Sequence, residues 1–373
     1  MQIDQITYST KPRGGVVHTL ALSEALARRG HEVTVWTLGR GGDRAFFRDL
    51  DPAVRIRVVP FDPREDETVG DRIERSIQTM RAAFAPTGGV GGIVHAQDCI
   101  SANAVGRAIR TIHHLDAFTT PRLVECHERA VREPIARLCV SAAVAGEVRE
   151  QYGLGATVIP NGVDFTRFAG VPADDRGVWS ARLGRYVLAV GGIEPRKGSI
   201  DLLEAYAMLR TQHPDVSLVF CGGETLFDYR DYRAAFDRRA VELNVSPIVL
   251  GTLPHDAVPP LVAAADVLAF VSTKEGFGLA AMEALAAGTP VVARDLPVLR
   301  EVFGGAVAYA ADVAGIAAAL ERALSTSVDP RPGRKVAASY SWDTAAARHE
   351  RFYELVSERG GDGGAPLDLE DLR

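Results

Sequence analysis

Strand-like and helix-like stretches alternate along this chain of 373 residues, and the alternation runs through twice. Residues 3–10 (IDQITYST) read as a strand. Beyond Gly14, Val17, Leu20 and Ala21, then Glu24, Ala25 and Arg28, fall at the spacing of a helix with one apolar face, and Gly30 stops it. HEVTVWTL at 31–38 is the next strand. The pattern continues with a strand near 54–59, a helix over about 71–84, a strand at 92–98, a helix from about Ser101, and strands near 110–115 and 137–141. Polar, irregular sequence over 169–185 reads as a linker. Then the alternation restarts: strand 186–192, helix 199–212, strand 216–223, helix 231–243, strand 247–253, short helix 257–265, strand 267–272, and a loop, a helix and strand 290–294. A last helix spans about 342–358, and the Gly-rich, acidic tail 359–373 is expected to be disordered. Alternation of this kind implies parallel sheets covered on both faces. The predicted fold class is α/β, with two doubly wound, Rossmann-like domains facing across a cleft.

Composition removes several function classes. A net charge of −6 offers no overall basic field for nucleic acid. No apolar run reaches about 18 residues, so no membrane span is expected. Residues 1–10 (MQIDQITYST) lack the basic and apolar regions of a signal peptide. Cys99, Cys126, Cys139 and Cys221 form no CxxC pair and no zinc-site spacing with histidine, and read as reduced, mostly buried thiols. His127-Glu128 does not begin a zinc motif, because no histidine stands at 131. A cytoplasmic protein is the expectation.

Ligands of doubly wound sheets bind beyond the carboxyl ends of the strands, and glycine loops stand there in both halves. In PRGGVVH at 12–18, Gly14 and Gly15 leave room for a ligand, and the helix behind them presents N–H groups to an anion. The same loop is equally consistent with a tight turn. Neither it nor GGVGG at 88–92 matches the dinucleotide fingerprint G-x-G-x-x-G. VGGIEPRKGS at 190–199 takes the corresponding place in the second half. Its Arg196 and Lys197, beside a helix start, make either a diphosphate clamp or a solvated charged turn.

The densest signal is EGFGLAAMEALAAG at 275–288. Gly276 and Gly278 loosen the chain before a helix from about Leu279 to Ala287, which Gly288 ends. Amides around Phe277, Gly278 and Leu279 lie at its positive end, ready for phosphate. Glu275 precedes the helix and Glu283 is about one turn in. Carboxylates suit vicinal diols, so a ribose, a diphosphate and a sugar would satisfy the whole stretch.

In order along the chain these motifs resemble those of the retaining glycosyltransferases of family 4 (glycosyl transferases group 1), which have the GT-B fold. Glu275 and Glu283 match the E-x7-E motif, and VIPNGVD, with Asn161, Gly162 and Asp164, is also typical, as are Gly14-Gly15 and RKG at 196–198. The resemblance covers roughly residues 1–357. It implies an N-terminal, acceptor-side domain over 1–168, a nucleotide-sugar domain over 169–340, a helix over 341–358 packing back on the first domain, and a tail over 359–373. Residue by residue, it implies that Gly14 and Gly15 border the donor phosphates, Arg196 and Lys197 neutralise the leaving diphosphate, and Glu283 binds the ribose. Glu275 then meets hydroxyls of the transferred sugar, and the amides at Phe277, Gly278 and Leu279 touch sugar and phosphate. TIHHLDAF at 111–118 resembles the family's T-x-H segment and puts His113 near the anomeric centre. On a strand His113 and His114 would point to opposite faces. One departure is that Gly192 stands where many relatives have Arg, and Arg196 adjoins Lys197 instead.

The implied reaction moves a hexosyl group from a nucleoside diphosphate sugar, the donor substrate, to a hydroxyl of a sugar, small metabolite or lipid-linked acceptor, with retention and with no cofactor. No D-x-D motif stands on a site-facing loop: Asp174-Asp175 falls in the linker and DPRED at 62–66 in a surface loop. Catalysis is therefore expected to need no metal. His95 and Asp98, at another strand end, either meet the acceptor or are a packed histidine and a helix cap. Trp342 and Tyr353 in the last helix are expected to be core. Peripheral membrane association remains compatible with a lipid acceptor. Other readings are a nucleotide-sugar epimerase, a phosphorylase, a dinucleotide-dependent oxidoreductase and a silent sugar-nucleotide binder. The missing fingerprint argues against the oxidoreductase, and no lysine in a pyridoxal phosphate setting supports the phosphorylase.

Overall fold

Two parallel sheets, each with its own helices, build the protein. The computed structural model describes residues 1–64, 67–86, 92–116, 118, 120–223 and 229–359. The tail expected to be disordered, from residue 360, lies outside the described residues, as do 65–66 of the DPRED loop and 88–91 of GGVGG. The chain divides into one unit of Met1–Gly162 with Trp342–Arg373 and a second of Val163–Ser341. The boundary falls ahead of residues 163–168 because the short helix there packs within the second unit.

The first unit contains β1 (Gln2–Ile6), α1 (Gly14–Arg28), β2 (Glu32–Arg40), β3 (Arg55–Phe61), α2 (Val69–Phe84) and β4 (Ile93–Ala96). It continues with α3 (Cys99–Val105), β5 (Ile109–Ile112), α4 (Pro121–Arg132), β6 (Ala136–Cys139), α5 (Ala142–Tyr152) and β7 (Thr157–Val158). The second contains α6 (Phe165–Ala169), α7 (Ala173–Leu183), β8 (Arg185–Val190), α8 (Ser199–Leu209), β9 (Val216–Cys221), α9 (Arg230–Glu242) and β10 (Ile248–Val249). It continues with α10 (Val258–Ala264), β11 (Val267–Phe270), α11 (Leu279–Ala287), β12 (Val291–Arg294), α12 (Pro297–Phe303), β13 (Ala308–Ala310), α13 (Val313–Ser325) and α14 (Arg331–Ala338). The last helix, α15 (Trp342–Glu358), returns to the first unit.

The sheets run β3-β2-β1-β4-β5-β6-β7 and β10-β9-β8-β11-β12-β13, parallel throughout. In each, the order reverses direction beside the first strand: between β1 and β4, where Ile3 pairs Ile93, and between β8 and β11, where Leu188 pairs Leu268. Such reversals open a crevice at the carboxyl ends of the two strands. In the second sheet β11 is apolar on both faces: Val267, Leu268, Ala269 and Phe270 are all buried.

In the first unit α15 lies on α1. Trp342 meets the His18 ring edge-on at 5.5 Å, Tyr353 is fully buried, and Arg28 pairs with Asp343 at 2.7 Å. Both aromatics are core. Among the described residues no helix is long and apolar enough to cross a membrane.

The supposed linker at 169–185 is largely α7. Its sequence holds the helix signals that its polarity hides: Asp174 and Asp175 in the first turn, Arg182 in the last, and a single buried anchor, Trp179. The acids favour the positive end of the helix and the base its negative end. The strand expected at 247–253 shortens to Ile248–Val249, because Gly251 turns into a left-handed conformation at φ +68°.

Strand ends in the second sheet approach very closely. Gly191 N–H donates to Cys221 O at 2.8 Å, and a Cβ on Gly222 would lie 2.3 Å from the carbonyl carbon of Gly191. Nothing flexible is there to move aside. Gly222→Ala is expected to cost about 1–3 kcal/mol by overpacking, read as a lower urea midpoint. Unchanged stability would mean that the backbone of the β8 and β9 ends yields freely.

Candidate functional site

The second unit gathers most of the expected donor residues at its strand reversal. After β8, residues Pro195–Lys197 form one tight helical turn. Gly198 then takes φ +63°, and a Cβ there would lie 2.5 Å from Val271 O. Only glycine lets this turn press against the end of β11. The two segments are then joined by Thr273 N–H donating to Arg196 O at 2.7 Å.

That contact brings the side chains together. Lys197 Nζ donates to Glu275 Oε1 at 2.7 Å, and Arg196 Nη1 donates to the same oxygen at 3.1 Å and to Lys274 O at 3.2 Å. Arg196 Nη2 donates to Glu194 Oε1 at 3.1 Å. Lys197 also lies over the Phe270 ring. Burial pushes the Glu275 carboxyl up, but Lys197 and Arg196, with a hydrogen bond from Ser272, hold it down at about 2. Glu275 is thus ionised and turned towards the two cations. The sequence placed it ahead of the helix that carries Glu283 and gave no sign that it pairs with the two cations.

Gly278 stands immediately before α11 at φ +101°, a conformation that favours glycine, and no side chain caps the helix. Phe277 is buried edge-on to Tyr340 at 5.4 Å, so its ring is structural and only its main chain can serve a ligand. Leu279 opens the helix.

Glu283, in the middle of α11, has the opposite electrostatics from Glu275. Burial pushes its carboxyl up to about 7; Arg167 opposes the shift and Asp164 adds to it. Both neighbours come from the VIPNGVD region: Asp164 caps α6 by accepting Arg167 N–H at 3.1 Å, and the Arg167 guanidinium donates to His255 O at 2.6 Å. Asn161 of the same motif lies in the first unit, where its Oδ1 is 2.8 Å from His18 Nδ1. The motif therefore straddles the chain boundary between the units, with Asn161 bonded inside the first and Asp164 inside the second. Arg167 and Glu194 carry no motif signal, and the sequence did not single them out.

The first unit brings together the other group. Gly14 starts α1, and a Cβ on Gly15 would touch His113 Cδ2 at 3.5 Å. His113 Nε2 lies 3.2 Å from Gln97 Oε1, and its ring meets His18 edge-on at 4.8 Å. Burial, then the His18 ring, hold the His113 imidazole well below its usual range, so it is neutral. The strand argument for His113 and His114 does not apply, because β5 ends at Ile112. They diverge all the same: His114 Nε2 lies 3.1 Å from Asp116.

His95 and Asp98 are not placed to meet an acceptor. His95 is fully buried with both ring nitrogens bonded, to Tyr353 and Thr111. Asp98 caps α3 through Ser101 N–H at 2.8 Å and also accepts Tyr8 N–H at 2.9 Å. Packed histidine and helix cap is the reading that the structure supports. The four cysteines are free thiols, with Cys99 partly exposed.

Comparison with known proteins agrees with this layout. Residues 181–338 match the family model described as Glycosyl transferases group 1, and residues 12–167 that described as Glycosyltransferase Family 4. A glycogen synthase from Mycobacterium tuberculosis is 29% identical over 393 aligned positions, covering 92% of this chain and 91% of the relative. A phosphatidyl-myo-inositol mannosyltransferase from Mycolicibacterium smegmatis is 29% identical, covering 95% and 93%. Among solved structures, sucrose-phosphate synthase from Thermosynechococcus elongatus superposes with a TM-score of 0.77 at 21% identity, covering 96% of this chain and 99% of that one. Anabaena HepE, solved in complex with UDP and glucose, gives 0.70 at 20% identity, covering 95% and 99%.

The raised Glu283 carboxyl links stability to pH. A folded value near 7 against a usual 4.5 means that the folded chain holds a proton the unfolded chain releases, so stability is lost as pH rises from 4.5 to about 7. Glu283→Gln should therefore raise the melting temperature above pH 7 and bring no gain below pH 4.5. Melting curves across that range check this, and a gain independent of pH would count against a buried, costly charge.

Proposed function

Because this chain belongs to the glycosyltransferases of family 4, we propose that it moves a hexosyl group from a nucleoside diphosphate sugar to an acceptor hydroxyl, with retention and without a metal ion. The observation that carries the reading is the half-buried pairing of Glu275 with Arg196 and Lys197, set against the uncapped start of α11. Two cations and a helix end suit a diphosphate, and the carboxylate among them suits sugar hydroxyls.

In the free protein Glu275 occupies the cations. An incoming diphosphate competes for Arg196 and Lys197, which frees Glu275 to accept hydrogen bonds from hydroxyls of the hexose. Glu283 takes the ribose: two hydroxyls donating to its carboxylate supply the stabilisation that burial removed. As the bond from the anomeric carbon to the phosphate oxygen breaks, negative charge grows on the diphosphate, where Arg196, Lys197 and the α11 amides already point. The acceptor oxygen bonds the same face of the anomeric carbon, and its proton passes to the departing phosphate oxygen. This front-face course needs no enzyme nucleophile. The protein cations take the part that a metal would otherwise play. In the first unit, Gly15 and neutral His113 are the residues assigned to the reaction. HepE was solved with UDP and glucose, and several relatives are named for mannosyl transfer, which supports a hexosyl donor on a nucleoside diphosphate.

A thermal-shift panel of UDP-, GDP- and ADP-sugars, run in chelator, tests the donor. One donor should stabilise the wild type and lose its effect on Glu283→Ala. Turnover should persist in chelator, and Lys197→Ala should slow it by about 10²–10³, the effect of removing one charge-stabilising donor. Loss of turnover in chelator would overturn the metal-free reading. A trapped glycosyl adduct on Glu275 would replace the front-face course with double displacement.

A further inference from the structure

A line of side-chain hydrogen bonds runs through the core of the first unit from His113, by way of β1, β4 and α15, and back to Thr111 on β5. His113 Nε2 lies 3.2 Å from Gln97 Oε1, and Gln97 Nε2 lies 2.8 Å from Gln5 Oε1. Gln5 Nε2 lies 3.1 Å from Tyr353 Oη, Tyr353 Oη lies 2.8 Å from His95 Nδ1, and His95 Nε2 lies 2.7 Å from Thr111 Oγ1. Gln5, Gln97, Tyr353, His95 and Thr111 are each at most 2% exposed, so water cannot substitute for a missing partner.

The line has a direction. A side-chain amide oxygen only accepts and its nitrogen only donates. Gln5 donates to Tyr353, so its oxygen is left to receive Gln97. Gln97 donates to Gln5, so its oxygen faces His113, and His113 must donate from Nε2. Tyr353 receives Gln5, so its one proton goes to His95 Nδ1. His95 then carries its own proton on Nε2 and donates to Thr111. Only one other arrangement satisfies every member, with all donors and acceptors exchanged at once. No member can turn over alone without leaving two like groups face to face, at a cost of about 1–3 kcal/mol per unmet buried group.

We propose that Gln97, Gln5 and Tyr353 are positioning residues that fix His113 as the Nε2-protonated tautomer and so leave Nδ1 as a hydrogen-bond acceptor. An acceptor nitrogen pairs with a hydroxyl and repels a phosphate oxygen. His113 therefore serves a hydroxyl of the transferred sugar or the acceptor, not the diphosphate. This last step rests on the glycosyl-transfer reading above; the tautomer does not. His95 gains a part as well: buried at the other end of the line, it acts on His113 through Tyr353. The C-terminal helix α15, which supplies Tyr353, is thereby tied to the chemistry as well as to the core.

The test uses the full chain with ¹⁵N-labelled histidine. Long-range ¹H–¹⁵N spectra at neutral pH separate protonated from bare ring nitrogens, and His113→Asn identifies the signals. The wild type should show His113 protonated at Nε2 and bare at Nδ1. Tyr353→Phe and Gln97→Leu should each shift His113 towards a mixture of tautomers. Gln97→Glu, which keeps an accepting oxygen opposite Nε2, should preserve the wild-type pattern. With the donor found in the panel, Tyr353→Phe and Gln97→Leu should lower kcat about tenfold, the scale of one hydrogen bond, with little change in nucleotide affinity. His113 protonated at Nδ1 in the wild type, or a pattern unmoved by both variants, overturns the proposal. If Tyr353→Phe does not fold, Gln97→Leu decides alone. A shifted tautomer with unchanged kcat upholds the tautomer assignment and overturns the service of His113 to a reacting hydroxyl. A wild type that turns over no donor fails the glycosyl-transfer reading and leaves the tautomer standing.

Discussion

The ion pair of Glu275 with Arg196 and Lys197 organises the working end of the second sheet. It forms because β8 and β11 are neighbours at the strand reversal, so the turn after one lies against the turn after the other. Glycine makes the approach close enough: Gly198 sits against Val271 O, and Gly222 against Gly191. A buried ion pair is seldom retained for stability, since desolvating both partners offsets most of their attraction. Here the pairing outweighs the burial, since the cations hold Glu275 at about 2, and it keeps two cations together ahead of the uncapped start of α11. In the proposed reaction those cations serve the diphosphate, which would displace Glu275.

Glu275 and Glu283 show how strongly environment overrides residue type. They are eight positions apart, both within reach of arginine, yet one is held at about 2 and the other pushed to about 7. Glu275 has two cations in direct contact. Glu283 lies among the alanines of an apolar helix, with Arg167 opposed by Asp164. A fully ionised carboxylate can be exchanged between cations and hydroxyls without taking up a proton. A carboxylate near its midpoint at neutral pH gains most from hydrogen-bond donors that favour its charge. The first suits a group that must change partners as the donor arrives, the second a group that grips a diol.

Much of this was legible because it depends on local chemistry. The alternation of elements, the glycine turns, the E-x7-E spacing and the last helix all follow from periodicity and backbone freedom over a few residues. What escaped depends on contacts distant in sequence. Arg167 gains meaning only where α6 meets α11, and the Arg196 that bonds Glu194 is brought to Glu275 from 79 residues away. The helix α7 hid behind its charges, since one buried tryptophan gives no apolar stripe. The pair His113-His114 was read on a strand that ends one residue too soon, yet the two still part company, drawn by Gln97 and Asp116 in place of a pleat. His95 was open between an acceptor contact and a packed histidine, because a strand end serves either. Its burial could not be known without Tyr353, 258 residues away.

The polar line through the first unit sets the same problem as the ion pair in the second. Leucine at both 5 and 97 would remove the two partners of the Gln97–Gln5 bond together, and replacing both partners of a buried hydrogen bond by apolar groups of the same shape is often nearly neutral. Packing therefore does not explain the glutamines. Direction does: apolar contacts have no polarity, whereas a chain of amides and hydroxyls can carry the orientation of one imidazole through several neighbouring elements of a core. In each unit, then, the least economical part of the interior lies behind the residues assigned to chemistry. The buried charge presets an anion site, and the buried amides preset a tautomer.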